Sequence, residues 1–258
     1  MDCSTNAFYG NDTVALSSSS RGTISIPNQN IRGIASTVFF MGSLGLNPAS
    51  TNLSSSNTSI SSYMSNLKSQ NKIPSISYGY TAGNQYRFDK VLGSLTLGGY
   101  DASLFQPNNL TVSLNGKGAS DLMINVNSIY FSSSSDNRSL SNRKFPAVID
   151  STLPYLSLPP EVCQQFEEAF GITYDEEFDL YLVNDTLHLQ LLEQAANITF
   201  TLTNVTSQVL VDITLPYQAF DLVVTDIPLV KDKTRYFPLK RAKENSQFIL
   251  GRTFLQEA

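Results

Sequence analysis

Charge is scarce in this chain. Of its 258 residues only 15% are charged, 17 Lys or Arg against 22 Asp or Glu, for a formal charge of −5. A nucleic-acid partner needs clustered cations that displace counterions from phosphates. The richest basic stretch, Lys231 to Lys243, is broken by Asp232 and followed by Glu244, so it reads as a solvated loop. Histidine is limited to His188, which excludes a two-histidine metal site; no Ser-His-Asp motif accompanies it, and it reads as a helix-surface residue. The two cysteines, Cys3 and Cys163, form no metal spacing and either pair with each other or with partners lost from the chain. No apolar run approaches the roughly 20 residues that a membrane span requires. The start, Met1-Asp2-Cys3-Ser4-Thr5-Asn6, has neither the basic end nor the apolar stretch of a signal peptide. Neither a cofactor nor a metal is expected.

What is present is a β-rich pattern. Hydrophobic residues make up 41% of the chain, enough for one large β domain or two smaller ones. Thr23 to Ile26, Thr37 to Phe40, Ser94 to Leu97 and Ile198 to Leu202 carry β-branched or period-2 patterns. Gly42-Ser43-Leu44-Gly45, Gly98-Gly99 and Asn115-Gly116 supply turns. Tyr78, Tyr80 and Tyr86 alternate with small residues as in a half-buried strand. Helix signals are few: a short segment over 61–69, a turn or two over 187–194, and the best one over 160–170. There Pro160 and Glu161 open the helix, Val162, Phe166 and Phe170 recur at helical spacing, and Gly171 ends it. The Ser/Asn-rich stretches 50–62 and 131–143 read as exposed hairpin tips.

Eight Asn-X-Ser/Thr sequons occur, at Asn11, Asn52, Asn57, Asn109, Asn137, Asn184, Asn197 and Asn204. Their density in a chain with so few charges points to a glycoprotein that is secreted, held at the cell surface or vacuolar.

The segment Phe145-Pro146-Ala147-Val148-Ile149-Asp150-Ser151-Thr152 ends an apolar run on a carboxylate followed by two hydroxyls. Burying a carboxylate beside Val148 and Ile149 is costly unless hydrogen bonds or a role in chemistry offset it. Leu153-Pro154-Tyr155-Leu156-Ser157-Leu158 then returns to an alternating strand. Ala147 to Ser151 resembles the second catalytic loop of pepsin-like aspartic peptidases. Phe248-Ile249-Leu250-Gly251-Arg252-Thr253-Phe254-Leu255 resembles the later apolar-apolar-Gly motif of the same lobe. Phe39 to Leu46 resembles the matching amino-lobe motif, Gly93 to Asp101 the stretch leading into the lobe junction, and Leu215 to Phe220 a further match. These follow one another in the family's order, and Ile149 to Tyr155 is closest in style to filamentous-fungal members.

The resemblance implies an all-β, bilobal β-barrel fold of the pepsin type. It implies a partial amino-terminal lobe over 1–100, lacking the first catalytic loop and flap, and a nearly complete carboxy-terminal lobe over 101–258 carrying Asp150. The implied activity is endoproteolysis of a peptide or protein substrate at acidic pH by a monomer, using two aspartates and a water. Asp150 would be the carboxy-lobe member, with Ser151 and Thr152 as its supporting loop. Two departures stand out. Thr152 occupies the family's glycine position. No Asp-Thr/Ser-Gly occurs anywhere: Asp12-Thr13-Val14 and Asp185-Thr186-Leu187 lack the glycine, and Asp12 reads as structural. The first aspartate and the flap tyrosine would then precede Met1, and the chain reads as shortened at both ends. Residues 1–258 alone are expected to be inactive. The alternatives are a non-catalytic relative that binds peptides, proteins or glycans, and a remnant that does not fold stably by itself.

Overall fold

The computed structural model describes residues 7–18, 22–34, 42–52, 59–87, 91–113, 122–204, 209–224, 233–243 and 246–258. The expected strand over 37–40 and the turn at 115–116 lie outside them, as do Cys3 and Asn57. The chain divides into two compact units, Met1–Gly79 with Leu95–Ala102, and Tyr80–Ser94 with Ser103–Ala258.

In the first unit, β1 (Ala7–Ser18) and β2 (Gly22–Ile34) form a long antiparallel ribbon whose register shifts between Asp12 and Val14. A bulge of this kind bends a ribbon locally. β3 (Thr51–Asn52) and β4 (Ser59–Ile60) pair antiparallel, and the tip expected between them lies outside the described residues. Ser62 opens α1 (Tyr63–Ser69) by accepting the Ser65 N–H on its side chain. Tyr63, Met64 and Leu67 then pack with Ile26 and Ile73 into a small core. The chain passes from the first unit to the second within β5 (Tyr78–Thr81) and returns at β6 (Ser94–Leu97).

The second unit holds the larger core. Its strands are β7 (Met123–Ser132), β8 (Asn137–Ser141), β9 (Phe145–Ile149) and β10 (Leu156–Leu158). α2 (Pro160–Phe170) follows, then β11 (Thr173–Asp175), β12 (Leu180–Leu182) and α3 (Asp185–Glu193). The remainder comprises β13 (Asn197–Thr203), β14 (Val211–Pro216), β15 (Leu222–Val224), β16 (Thr234–Phe237), β17 (Leu239–Arg241) and β18 (Ile249–Leu250). Alternation decides the inner face on either side of an irregularity at Asn127–Ser128, burying Ile124 and Val126 before it and Ile129 and Phe131 after it in β7, while Ile198, Phe200 and Leu202 of β13 are also buried. The main sheet runs β14-β13-β7-β9-β18-β10-β17, with β8 paired among the described residues only to β7, and a smaller sheet runs β11-β12-β16-β15.

α2 forms where its sequence signals place it. Pro160 sits in the first turn, where its missing N–H costs nothing, and Gly171 closes the helix in the left-handed region at φ 65°. Its buried face reaches an aromatic cluster in which the Phe170 ring lies 4.8 Å from Phe237 and 5.1 Å from Phe131. Cys163, also on that face, is a fully buried free thiol whose Sγ points at the carbonyls of Leu158 and Lys240, 3.6 and 3.4 Å away. Among the described residues no helix is long and apolar enough to cross a membrane.

Candidate active-site loop

β9 and β10 are consecutive in sequence yet are not neighbours in the sheet. β18 lies between them, parallel to β9 through the Ile249–Val148 and Leu250–Ile149 pairs and antiparallel to β10 through Leu250–Leu156. The loop that joins β9 to β10 therefore arches over the end of a threaded strand, and Asp150 is its first residue. Backbone bonds fix that residue's entry. Val148 N–H donates to Phe248 O at 2.8 Å, Ile149 N–H to Leu122 O at 2.9 Å, and Asp150 N–H to Leu250 O at 3.0 Å.

The far side of the loop is held by residues just after β18. A Cβ on Gly251 would lie 2.2 Å from Tyr155 O and 2.5 Å from Leu153 O, so only glycine allows the two backbones to pass this closely. Arg252 N–H donates to Leu153 O at 2.7 Å, and the Thr253 hydroxyl donates to Pro154 O, also at 2.7 Å. The Arg252 guanidinium adds bonds to the carbonyls of Ser151 and Thr152 at 3.2 and 3.0 Å. A clamp of this kind costs little conformational freedom, because a planar guanidinium presents its donors in a fixed fork.

The Asp150 side chain is half-buried, and both of its hydrogen bonds among the described residues come from Thr152. The Thr152 N–H donates to Oδ1 at 2.8 Å and the Thr152 hydroxyl to the same oxygen at 2.6 Å. Among the described residues Oδ2 accepts no hydrogen bond. The three residues picked out in the sequence are thus contiguous in one turn, with Ser151 exposed and contributing its carbonyl to Arg252. The two Asp-Thr pairs of the chain lie in regular elements. Asp12 is in β1 opposite Gln29, and Asp185 is in the first turn of α3, where its carboxylate lies 3.6 Å from Arg235 Nε.

His188 is not the surface residue its sequence context suggests. Its side chain is 12% exposed, with Nδ1 3.2 Å from the Tyr217 hydroxyl and 3.4 Å from Asp221 Oδ1. It lies three positions before Leu191, the buried residue of α3, and Asp221 also accepts two bonds from Arg235 at 3.1 and 3.0 Å. Tyr78 and Tyr80 belong to β5 as expected, but Tyr86 lies beyond a turn, and its hydroxyl donates to Glu257. Asn84 and Arg87 converge on the same carboxylate, and the buried Asn84 amide also donates to Gln256 O at 2.6 Å. No local signal announces this cluster, because residues 84–87 and 257 are far apart in the chain. Arg252 is legible only as part of the Phe248 to Leu255 motif, and nothing in its identity foretells a bond to the loop.

Comparison with known proteins points one way. A family model described as eukaryotic aspartyl protease matches residues 2–258. The solved structure of the aspartic proteinase from Irpex lacteus is similar, with a TM-score of 0.59 and 17% identity over 97% of this chain and 77% of that one. At that identity the similarity establishes the fold, which is the mostly β, pepsin-like fold anticipated from the ordered motifs. No curated protein matches this chain.

Proposed function

This chain belongs to the eukaryotic aspartyl protease family, and from that premise we propose that Asp150 is one of the two carboxylates of an acid endopeptidase site. Peptide hydrolysis without a covalent intermediate needs one group to take a proton from the attacking water and another to give one to the carbonyl oxygen. Two adjoining carboxylates divide these roles because they cannot both ionise comfortably, so the pair titrates as a unit; aspartic proteases are the standard example of this behaviour.

The observation that carries the reading is the threading of β18 between β9 and β10. It fixes Asp150 at a crossover, with Gly251, Arg252 and Thr253 bracing the loop from behind. Thr152 fixes one oxygen through two donors, which sets the plane of the carboxylate and leaves Oδ2 for water activation. The substrate class is peptide or protein, the setting is secreted, cell-surface or vacuolar, and the working form is a monomer. Within Met1–Ala258 neither Asp12 nor Asp185 lies in an Asp-Thr/Ser-Gly context. One carboxylate cannot supply both proton roles, so these residues alone have negligible activity.

A second reading, peptide binding without cleavage, is favoured by one observation. The Thr152 hydroxyl occupies Asp150 Oδ1 from a position where the family has glycine. The test is cleavage of a denatured protein at about pH 3–5, the range in which such pairs hold a single proton. Protein in which a second aspartate is supplied should cleave and lose that ability in Asp150→Asn, while Met1–Ala258 alone should not cleave at all. Cleavage that survives Asp150→Asn overturns the assignment. Binding of substrate peptides without cleavage by the native protein supports the second reading.

A further inference from the structure

The sequons are equivalent as text but not as chemistry. N-glycosylation uses the side-chain amide nitrogen. A bond forms between Nδ2 and the anomeric carbon of the sugar, and the anomeric C–O bond to a lipid-linked pyrophosphate breaks. The pyrophosphate leaves with the electron pair, and one amide proton is lost. The carbonyl oxygen Oδ1 is untouched. The modified amide keeps one N–H, so a sequon suits this fold best where the asparagine is exposed, and worst where a half-buried Nδ2 already donates to a backbone carbonyl and the sugar must share that space.

Asn197 and Asn204 are of the second kind. Asn197, half-buried in β13 between Ser132 and Pro216 on the neighbouring strands, donates from Nδ2 to Ala195 O at 2.6 Å. Asn204, also half-buried, donates from Nδ2 to Thr111 O at 2.8 Å. Asn184 is the opposite case. It is exposed and caps α3, but it does so with Oδ1, which accepts the Leu187 N–H at 2.8 Å. A sugar on its Nδ2 leaves the cap intact. Asn137 is exposed at the first residue of β8, a strand paired on one side only among the described residues. Among the described residues its amide donates no hydrogen bond, and a bulky glycan there covers an open sheet edge of the sort proteins protect from intermolecular pairing.

We propose that Asn137 and Asn184 are glycan attachment sites of the folded protein and that Asn197 and Asn204 are not. The proposal rests on the secretory setting given under the proposed function, and the experiment separates the two. The full chain is sent through a eukaryotic secretory pathway by a fused leader, so entry does not depend on its native location, and glycopeptides are mapped by mass spectrometry. Thr186→Ala and Ser139→Ala remove the two sequons without altering either asparagine, and each should lower the mass of the secreted protein by one glycan. Thr199→Ala should leave the mass unchanged. Glycan on Asn197 or Asn204 of folded, secreted protein overturns the proposal, as does secreted protein bare at both Asn137 and Asn184. Protein from its natural source that lacks glycans at all sites, while the leader-directed form carries them at Asn137 and Asn184, overturns the secretory setting alone.

Discussion

Replacing Gly251 by alanine is the sharpest test of how the Asp150 loop is built. The added Cβ would sit 2.2 Å from Tyr155 O and 2.5 Å from Leu153 O, about an ångström inside ordinary contact. Both obstacles are backbone atoms, so no side chain can swing away and the loop itself must move. Overpacking costs about 1–3 kcal/mol. Moving 153–155 also loosens the Arg252 N–H bond to Leu153 O and the Thr253 bonds to Pro154 O, about 1 kcal/mol for each hydrogen bond broken. The expected loss is about 4–6 kcal/mol, a large part of the roughly 5–15 kcal/mol by which domains are stable. Urea unfolding of Met1–Ala258 followed by far-UV circular dichroism reads this as a lower midpoint at unchanged slope. Gly99→Ala is the matched control, because a Cβ there meets nothing within 4 Å, and it should stay within about 0.5 kcal/mol of the parent. A Gly251→Ala protein within about 1 kcal/mol of the parent would refute the idea that close backbone passage positions Asp150.

Three further outcomes are expected. Phe170→Ala should cost about 3–5 kcal/mol in the same assay, since its ring is fully buried between Phe131, Phe166 and Phe237. Burial pushes the Cys163 thiol from 9.0 up to about 12. A raised acid of this kind contributes stability that is complete below pH 9 and lost as pH climbs toward 12, so Cys163→Ala should flatten that part of the stability–pH curve. In a Cys3→Ser background, Cys163 should also resist thiol reagents near neutral pH until the protein is unfolded. In unglycosylated protein, Asn184→Ala should cost about 1 kcal/mol through loss of the α3 cap, whereas Asn184→Asp should be nearly neutral, both read from thermal unfolding.

Local chemistry makes part of this molecule legible. Pro160 and Gly171 bracket α2 because each is favoured at one helix end for its own backbone reason, and the apolar run into Asp150 forms β9 and its loop. The amide of Thr152 still donates to Asp150 despite the branched side chain, as the residue type allows. Its hydroxyl bond to the same oxygen is invisible in sequence, because it depends on a rotamer. Pairing partners are the least legible feature. Nothing in Phe145–Ile149 or Leu156–Leu158 states that Ile249–Leu250 lies between them, since strand neighbours are chosen by topology and not by local preference. His188 reads wrongly as a surface residue for the same reason: Tyr217 and Asp221 meet it from other elements, and Arg235 in turn holds Asp221.

The threaded strand also sets a timetable for synthesis. Arg252 meets a loop residue, Ser151, that left the ribosome 101 residues earlier. Until β18 follows, the strands meant to flank it have no common neighbour and expose two bare edges, which invite pairing with other chains. The Asp150 loop therefore cannot acquire its geometry during translation of its own segment. It forms late, as a long-range closure of the kind that slows folding, and ribosome pausing or chaperone holding downstream of β10 should govern the yield of folded protein more than any change within the loop.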